Sequence, residues 1–358
     1  MDNEAQSTPR RPYAADRAEA RPADHPDIAA GRTGVLIVNL GTPEAPTPGA
    51  VRAYLAEFLS DTRVVDYPRV FWLPILYGVI LNVRPAKSAR AYAKIWTAQG
   101  SPLRRYAVGA AEKLAARYGE RLIVDWAMRY GAPSIRERIG RLQARGCERI
   151  VIVPLYPQYS QSTSASVADA AFDALKQLKW QPALRIAAPF YDAPDYIAAL
   201  KAGADAHMHG LGWAPERVVI SFHGVPKRFL DHGDPYYCHC AKTARLLRAA
   251  MGWSEEFAPL AFQSKFGREE WLTPATDATI EALAREGVKR LAVITPGFMA
   301  DCLETLEEID IAARASFMAA GGEAFTTVPC LNDSPALIEL LSSRIEIESA
   351  GWRGRDES

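Results

Sequence analysis

The sequence lacks most of what would place it in several common classes. Its 358 residues include only five cysteines: Cys147, Cys238, Cys240, Cys302 and Cys330. Their odd number and scattered spacing exclude a disulfide framework and suit a reducing compartment. An excess of one charge is also missing. The 42 Lys and Arg balance 42 Asp and Glu, so binding nucleic acid or an anionic membrane through bulk charge is not the main business of the chain. No uncharged apolar run reaches about 18 residues, and the first residues do not have the basic-then-apolar order of a secretory signal. The expectation is a cytoplasmic protein with no spanning segment and no nucleic-acid partner. Walker A, GxGxxG and GxSxG motifs are absent as well, which removes the standard support for nucleotide binding and for α/β-hydrolase chemistry. No repeat of solenoid period is visible.

What is present is a chain 49% hydrophobic and 23% charged, able to bury one large core or two ordinary ones. Residues 1–33 carry Asp2, Glu4, Asp16, Glu19, Asp24 and Asp27 among Arg, Pro and Ala. They are too acidic for a transit peptide and too polar to pack, which predicts a disordered N-terminal tail; residues 348–358 read as a polar tail. In between, eight β-rich runs alternate with helix-period segments. They cover 34–41, 121–128, 149–157, 184–191, 218–222, 258–264, 291–296 and 324–329, and they divide into two sets of four. Nearly continuous apolar runs such as VLIVNLG are what a parallel sheet covered on both faces requires. The predicted class is α/β, doubly wound, with chemistry expected in the turns after the strands.

His223 ends one such run in Ser-Phe-His-Gly, where Gly224 is read as letting the backbone turn so that the imidazole faces the crevice. It is the best single catalytic candidate; the rival reading is a histidine that only ties down its turn. Asp301, Glu304 and Glu308 are spaced i, i+3 and i+7 at a predicted helix start, a ladder of carboxylates on one face. Helix-terminus electrostatics explain Asp301 and partly Glu304 without function, but Glu308 lies too deep for that. Such a ladder could pass a hydrated divalent cation or accept protons. The apolar run from Val70 to Leu81 is too short to span a bilayer, and Pro74 and Gly78 argue against a regular core helix. It reads as an apolar lip beside a cavity or against a membrane surface. Cys238-His239-Cys240 is a weak metal motif without a second pair at ligand spacing, and His207 and His209 read as surface residues.

Taken together, these segments resemble the ferrochelatase family, whose members insert Fe2+ into a porphyrin at the end of haem synthesis. The resemblance runs in order through Gly34–Glu44, Arg84–Tyr92, Ile95–Leu103, Met128–Gly131, Pro154–Ser160, Ser221–Gly224, Gly233–Pro235, Phe262–Gly267 and Pro296–Glu308, nearly the whole folded body. It implies two Rossmann-like domains, 34–190 with the lip and 191–347 with the histidine and acidic helix, each a four-stranded parallel sheet flanked by helices, with a porphyrin cleft between them. It places His223 and Glu304 as the catalytic pair that also meets the metal, and Asp301 and Glu308 on a proton or metal path. Phe71, Leu73 and Ile75 would cover the apolar face of the porphyrin. Arg129, Tyr130, Tyr159, Ser160 and Lys265 would serve its polar edges or a propionate. The implied partners are protoporphyrin IX and Fe2+ as substrates, with no nucleotide and with peripheral membrane contact through the lip.

Two positions depart from other members of the family. Cys302 stands where some have a His two residues before the catalytic Glu. Gln161 stands where cluster-bearing animal members have a Cys. With no cysteine after Cys330, this argues against an animal-type 2Fe-2S cluster and leaves open a bacterial one on Cys238 and Cys240. Insertion of another metal, a more carboxylated tetrapyrrole such as coproporphyrin, and a non-catalytic tetrapyrrole or iron carrier are the rival functions.

Overall fold

A computed structural model describes residues 31–265, 267 and 269–352; the expected N-terminal tail through residue 30, and residues 353–358, lie outside the described residues. The eight strands form where the apolar runs predict them. They are β1 (Arg32–Gly41), β2 (Ile123–Tyr130), β3 (Cys147–Pro154), β4 (Ala183–Ile186), β5 (Arg217–His223), β6 (Leu260–Gln263), β7 (Arg290–Ile294) and β8 (Ala324–Thr327). They build two four-stranded sheets in the orders β2-β1-β3-β4 and β6-β5-β7-β8, and every pairing is parallel. The central strands β1 and β5 are buried over nearly their whole length, as a sheet covered on both faces demands. In each sheet the chain turns back between the central strand and its later neighbour, β1 and β3 or β5 and β7, and a crevice opens at the carboxyl ends there.

The two halves repeat each other in detail that the sequence does not display. Near the end of β2, the amide of Met128 donates to the Pro133 carbonyl at 2.8 Å; near the end of β6, the amide of Phe262 donates to the Pro274 carbonyl at 2.9 Å. A helix follows each at once, Ile135–Ala144 and Thr276–Arg285. Met128 pairs in register with Asn39, and Phe262 with Phe222. The counterpart of His223 in the first half is therefore Leu40, and the counterparts of Gln263 and Ser264 are Arg129 and Tyr130. Each half also carries a wide-turn π-helix after its later central strand: Gln161–Ala165 and Glu304–Ala313. The repeat is invisible in sequence because equivalent positions hold different residue types.

The halves share one core. A single cluster joins Val35, Ile37 and Val151 to Val218, Ile220 and Ala292, with Leu337, Leu341 and Ile345 of the last helix packed into it. That helix, Pro335–Ser349, starts at the side-chain cap of Ser334 and crosses back onto β3 and the Pro102–Tyr118 helix. Lys113 binds Asp333 at 2.6 Å, and Arg117 pairs with Glu339. The chain stays ordered against the first sheet beyond residue 348: Arg149 donates to the Trp352 carbonyl at 2.7 Å and Arg185 lies 4.2 Å over the Trp352 ring. The polar tail thus starts later than position 348, because Trp352 buries its ring against the sheet edge.

The apolar run is helical but irregular: an α-helix over Arg69–Ile75, a π-turn over Leu76–Ile80, then a helix over Leu81–Ile95. Leu76 and Leu81 are buried with Leu59, and Trp72 Nε1 donates to the Leu59 carbonyl at 2.7 Å. The opposite face is bare. Val70 is 73% exposed, Phe71 69% and Val79 57%, with Ile75, Tyr77 and Val83 beside them. At the end of β1, Gly41, at φ +123°, lies so close to β2 that a Cβ there would be 1.9 Å from the Tyr130 carbonyl oxygen. Gly41→Ala must therefore prise β1 from β2 and strain a left-handed backbone, at a cost of about 3 kcal/mol. The thermal midpoint is expected to fall by roughly 5 °C or more, followed by circular dichroism; an unchanged midpoint would show that the strand end yields freely.

Candidate active site

His223 stands at the carboxyl end of β5, beside the crevice between β5 and β7. Its Nδ1 lies 2.6 Å from the Gly224 carbonyl. A carbonyl can only accept, so Nδ1 carries the hydrogen and the neutral ring keeps Nε2 as a free base. Tyr236 Oη donates to the His223 carbonyl at 2.9 Å, pinning the backbone below the ring, and the Phe298 ring lies 6.5 Å away. Gly224 is needed here for a different reason than a sharp turn. A Cβ would meet the Gln263 carbonyl at 2.7 Å and the Trp271 ring at 3.2 Å, so the glycine admits the end of β6 against β5.

Glu304 and Glu308 lie on the π-helix Glu304–Ala313. Its i→i+5 turn is wider than an α-turn, and residues four apart still share one face of it. Ser264 Oγ donates to Glu308 Oε2 at 2.5 Å, and Gln263 Nε2 reaches the same oxygen at 3.3 Å and the Glu304 carbonyl at 3.0 Å. Burial pushes the Glu308 carboxyl above its ordinary value; the Ser264 and Gln263 hydrogen bonds oppose this, and the Glu304 charge adds to it. Tyr54 and Tyr92 of the first half are pushed well up, first by burial; Tyr92 and then Glu304 add to this at Tyr54, and Glu304 adds to it at Tyr92, where the Tyr54 hydroxyl works the other way. These tyrosines, which the sequence reading passed over, are buried, and Tyr92 packs with Leu303 and Leu306 at the start of the acidic helix.

Asp301 does not continue the ladder. It precedes the helix, is 6% exposed, and both its oxygens are engaged: Thr305 Oγ1 and the Cys330 amide donate to Oδ1 at 3.0 and 3.4 Å, and Asn332 Nδ2 donates to Oδ2 at 2.7 Å. It ties the loop after β7 to the segment after β8. The i, i+3, i+7 face presumed an α-helix from residue 301, and the π-turn that begins at Glu304 breaks that register.

Across the cleft, Arg129 and Tyr130 are largely committed within the fold. Arg129 binds Asp61 at 2.5 Å and Ser166 Oγ at 2.6 Å, and its guanidinium lies 4.3 Å over the Tyr130 ring. Tyr130 is fully buried, with Oη donating to Asp61 Oδ2 at 2.7 Å. Burial alone would raise Asp61, but hydrogen bonds from Ser166, Tyr130 and the Arg63 amide, with the Arg129 charge, bring it below the ordinary carboxylate value. A polar-edge contact from Tyr130 is therefore not available, while Arg129 still lines an open recess of about 430 Å³ with Ser60, Thr62, Arg69 and Tyr77 of the lip region. Ser160 is also buried: its hydroxyl caps the Gln161–Ala165 helix and donates to Asp234 at 3.1 Å. Tyr159 gives its amide to His239 Nδ1 at 3.1 Å. Lys265 is exposed just after Ser264, and Phe71 and Ile75 lie on the bare face of the lip with Leu73 half-buried.

The other sequence motifs do not converge on a metal. Cys238 is exposed and Cys240 buried on one helix, because side chains two apart diverge, and His239 stacks on Tyr191 at 3.6 Å. His207 is half-buried rather than solvated, with Nε2 2.7 Å from Thr326 Oγ1. Among the described residues no group of three or more His, Cys, Asp and Glu could hold a metal ion. Gln263 and Ser264 were visible in sequence only as a polar turn, and nothing pointed to Asp61 or Ser166.

This two-sheet frame, with a base and carboxylates at the switch crevice, has the fold of tetrapyrrole metal chelatases. The chain superposes on SirB from Bacillus subtilis with Fe3+ at a TM-score of 0.56 and 11% identity, over 90% of this chain and 98% of that one. It superposes on the sirohydrochlorin chelatase SirB from Bacillus subtilis subspecies spizizenii, in complex with cobalt, at 0.54 and 10% identity, over 89% and 97%. A family model described as Ferrochelatase matches residues 32–348. The ferrochelatase of Rhizobium meliloti (strain 1021) is 53% identical over 92% of this chain and 98% of its own length, and that of Azoarcus sp. (strain BH72) 52% identical over 92% and 91%. The chain belongs to the ferrochelatase family. It is a porphyrin metal chelatase, a lyase of haem biosynthesis, and the standard reaction of the family puts Fe2+ into protoporphyrin IX.

The raised carboxyl of Glu308 has a sign that stability measurements can read. A group whose folded pKa lies above its unfolded one favours the fold while protonated, and that contribution is lost as pH rises from the ordinary glutamate range through the raised value. Glu308→Gln is neutral throughout. Its thermal midpoint should match the wild type near pH 4 and exceed it at pH 8; a lower midpoint at pH 8 would contradict the burial argument.

Proposed function

We propose that His223, Glu304 and Glu308 form the proton-accepting wall of the cleft, and that Fe2+ reaches protoporphyrin IX from the opposite, Arg129-bearing side. The observation that carries this reading is the tautomer of His223. With Nδ1–H held by the Gly224 carbonyl, Nε2 is a base that can take a pyrrole proton. Metallation needs two such protons removed, and Glu308, whose burial favours its protonated form, is suited to accept one from the ring by way of Glu304. The porphyrin nitrogens can then close on the cation from the other face, and His223 and Glu304 remain within its reach as metal contacts.

The bare lip supports peripheral attachment to a membrane that supplies an apolar substrate. Among the described residues no helix is long and apolar enough to cross a membrane. The exposed face of Val70, Phe71, Ile75, Tyr77, Val79 and Val83 is the surface that would lie on the bilayer, with Leu73 beneath it and the cleft opening beside it. Each such side chain gains about 1.5–3 kcal/mol on leaving water. A triple Phe71→Ser, Val79→Ser, Val83→Ser variant is therefore expected to lose at least about tenfold in vesicle sedimentation while staying folded. Undiminished binding would remove the lip from this role.

The assignment is tested by anaerobic metal insertion into protoporphyrin and coproporphyrin with Fe2+, Zn2+ and Co2+, followed by the porphyrin absorption bands. Fe2+ and protoporphyrin should be the fastest pair. His223→Ala should lower kcat by about 10³-fold or more with porphyrin affinity kept, in the range of a lost general base. Glu304→Gln should be nearly as severe and Glu308→Gln milder, because it lies farther from the ring. Retained turnover in His223→Ala would refute the base assignment.

A further inference from the structure

We infer that Ser264 is a positioning residue of the reaction, whose hydroxyl sets the orientation of the Glu308 carboxylate beside His223. The inference rests on the relay reading of Glu308 given above. Three independent features lead to it. Ser264 has a left-handed backbone, φ +69°, at the end of β6, and only one other non-glycine residue among those described, Asn332, shares that region. Serine is a poor choice there, since glycine or asparagine fills such a position with less strain. What serine supplies instead is the hydroxyl, and that hydroxyl lies 2.5 Å from Glu308 Oε2.

The bond is one arm of a clamp. Gln263 Nε2 approaches the same Oε2 at 3.3 Å, and Gln263 is itself held by Ser221 Oγ, which donates to its Oε1 at 2.9 Å and lies 2.8 Å from Thr276 Oγ1. Two donors from consecutive residues on one oxygen fix the plane of the carboxylate and leave Oε1 as the oxygen that can take a proton. The first half uses the two equivalent donor positions on an acid from another place in the fold, Asp61 after the Pro48–Ser60 helix. There, Arg129 and Tyr130, the counterparts of Gln263 and Ser264, both donate to Asp61 Oδ2, at 2.5 and 2.7 Å. In both halves this pair of strand-end positions holds a carboxylate oxygen. In the first half a full cation holds the acid charged; in the second, two neutral donors hold it in place and leave it able to exchange its proton.

The test is a double-mutant cycle on metal insertion. Ser264→Ala and Ser264→Gly both remove the hydroxyl, and the glycine also relieves the backbone, so at least one of them folds. Each should lower kcat by roughly 10- to 100-fold, the range for a lost hydrogen bond to a charged group, with KM and binding affinity for protoporphyrin within about twofold. Ser264→Ala combined with Glu308→Gln should be no slower than Glu308→Gln alone. If Glu308→Gln is slow while both Ser264 variants turn over like the wild type, the clamp is refuted and the relay stands. If the double variant is slowed by the product of the two single effects, Ser264 acts elsewhere and the inference fails. If Glu308→Gln itself is as fast as the wild type, the relay falls and the clamp with it.

Discussion

The Glu304–Ala313 helix is gripped from both halves of the molecule, and the geometry of the cleft depends on that grip. From the second half, Gln263 holds the carbonyl of Glu304 and the carboxylate of Glu308. From the first half, Leu303 and Leu306 pack against Val51, Ala89, Tyr92 and Ile95, and Lys94 pairs with Glu307 at 2.7 Å. A π-turn has poorer packing than an α-helix and persists only where its surroundings hold it. Here the surroundings come from two sheets, so the carboxylates are correctly placed only when the halves are closed on each other.

This grip also links the lip to the chemistry. The Leu81–Ile95 helix continues directly from the exposed apolar segment, and its far end presses on the carboxylate helix. A substrate that displaces the lip therefore pushes on one rigid element whose other end touches the site. The opposite side of the cleft is bolted more tightly. Gln158 reaches Tyr196 Oη and Thr243 Oγ1 at 3.3 and 3.0 Å, Tyr196 Oη donates to the Pro296 carbonyl at 2.6 Å, and Asp234 takes the Gln161 amide at 2.7 Å.

The two walls also divide the electrostatic work. On the Arg129 side a carboxylate is held charged by a cation and hydroxyl donors; on the His223 side a buried carboxyl is held by neutral donors beside a free ring nitrogen. At the equivalent positions the cation Arg129 corresponds to the neutral Gln263, and Tyr130 to Ser264. A duplicated frame thus yields one wall with a carboxylate held charged and another, proposed above as the proton-accepting one, with a carboxyl whose protonated form burial favours.

Sequence alone determined the strands, their parallel pairing in two sets of four, the crevice at their carboxyl ends and the prominence of His223 and Glu304. These follow from local patterns: apolar runs of strand length, polar turns after them, and the motif order shared with the ferrochelatase family. The tertiary structure decided what Asp301, Tyr130 and Ser160 do, because each is a polar residue whose partners, Asn332, Asp61 and Asp234, are remote in sequence. It also decided that the acidic helix starts only after Asp301 and takes a π-turn, and that Gln263 and Ser264 meet the Glu308 carboxylate. Periodicity reports which face of an element is apolar; it carries no information about which distant group a polar side chain meets, since that is set only when the two sheets close on a common core.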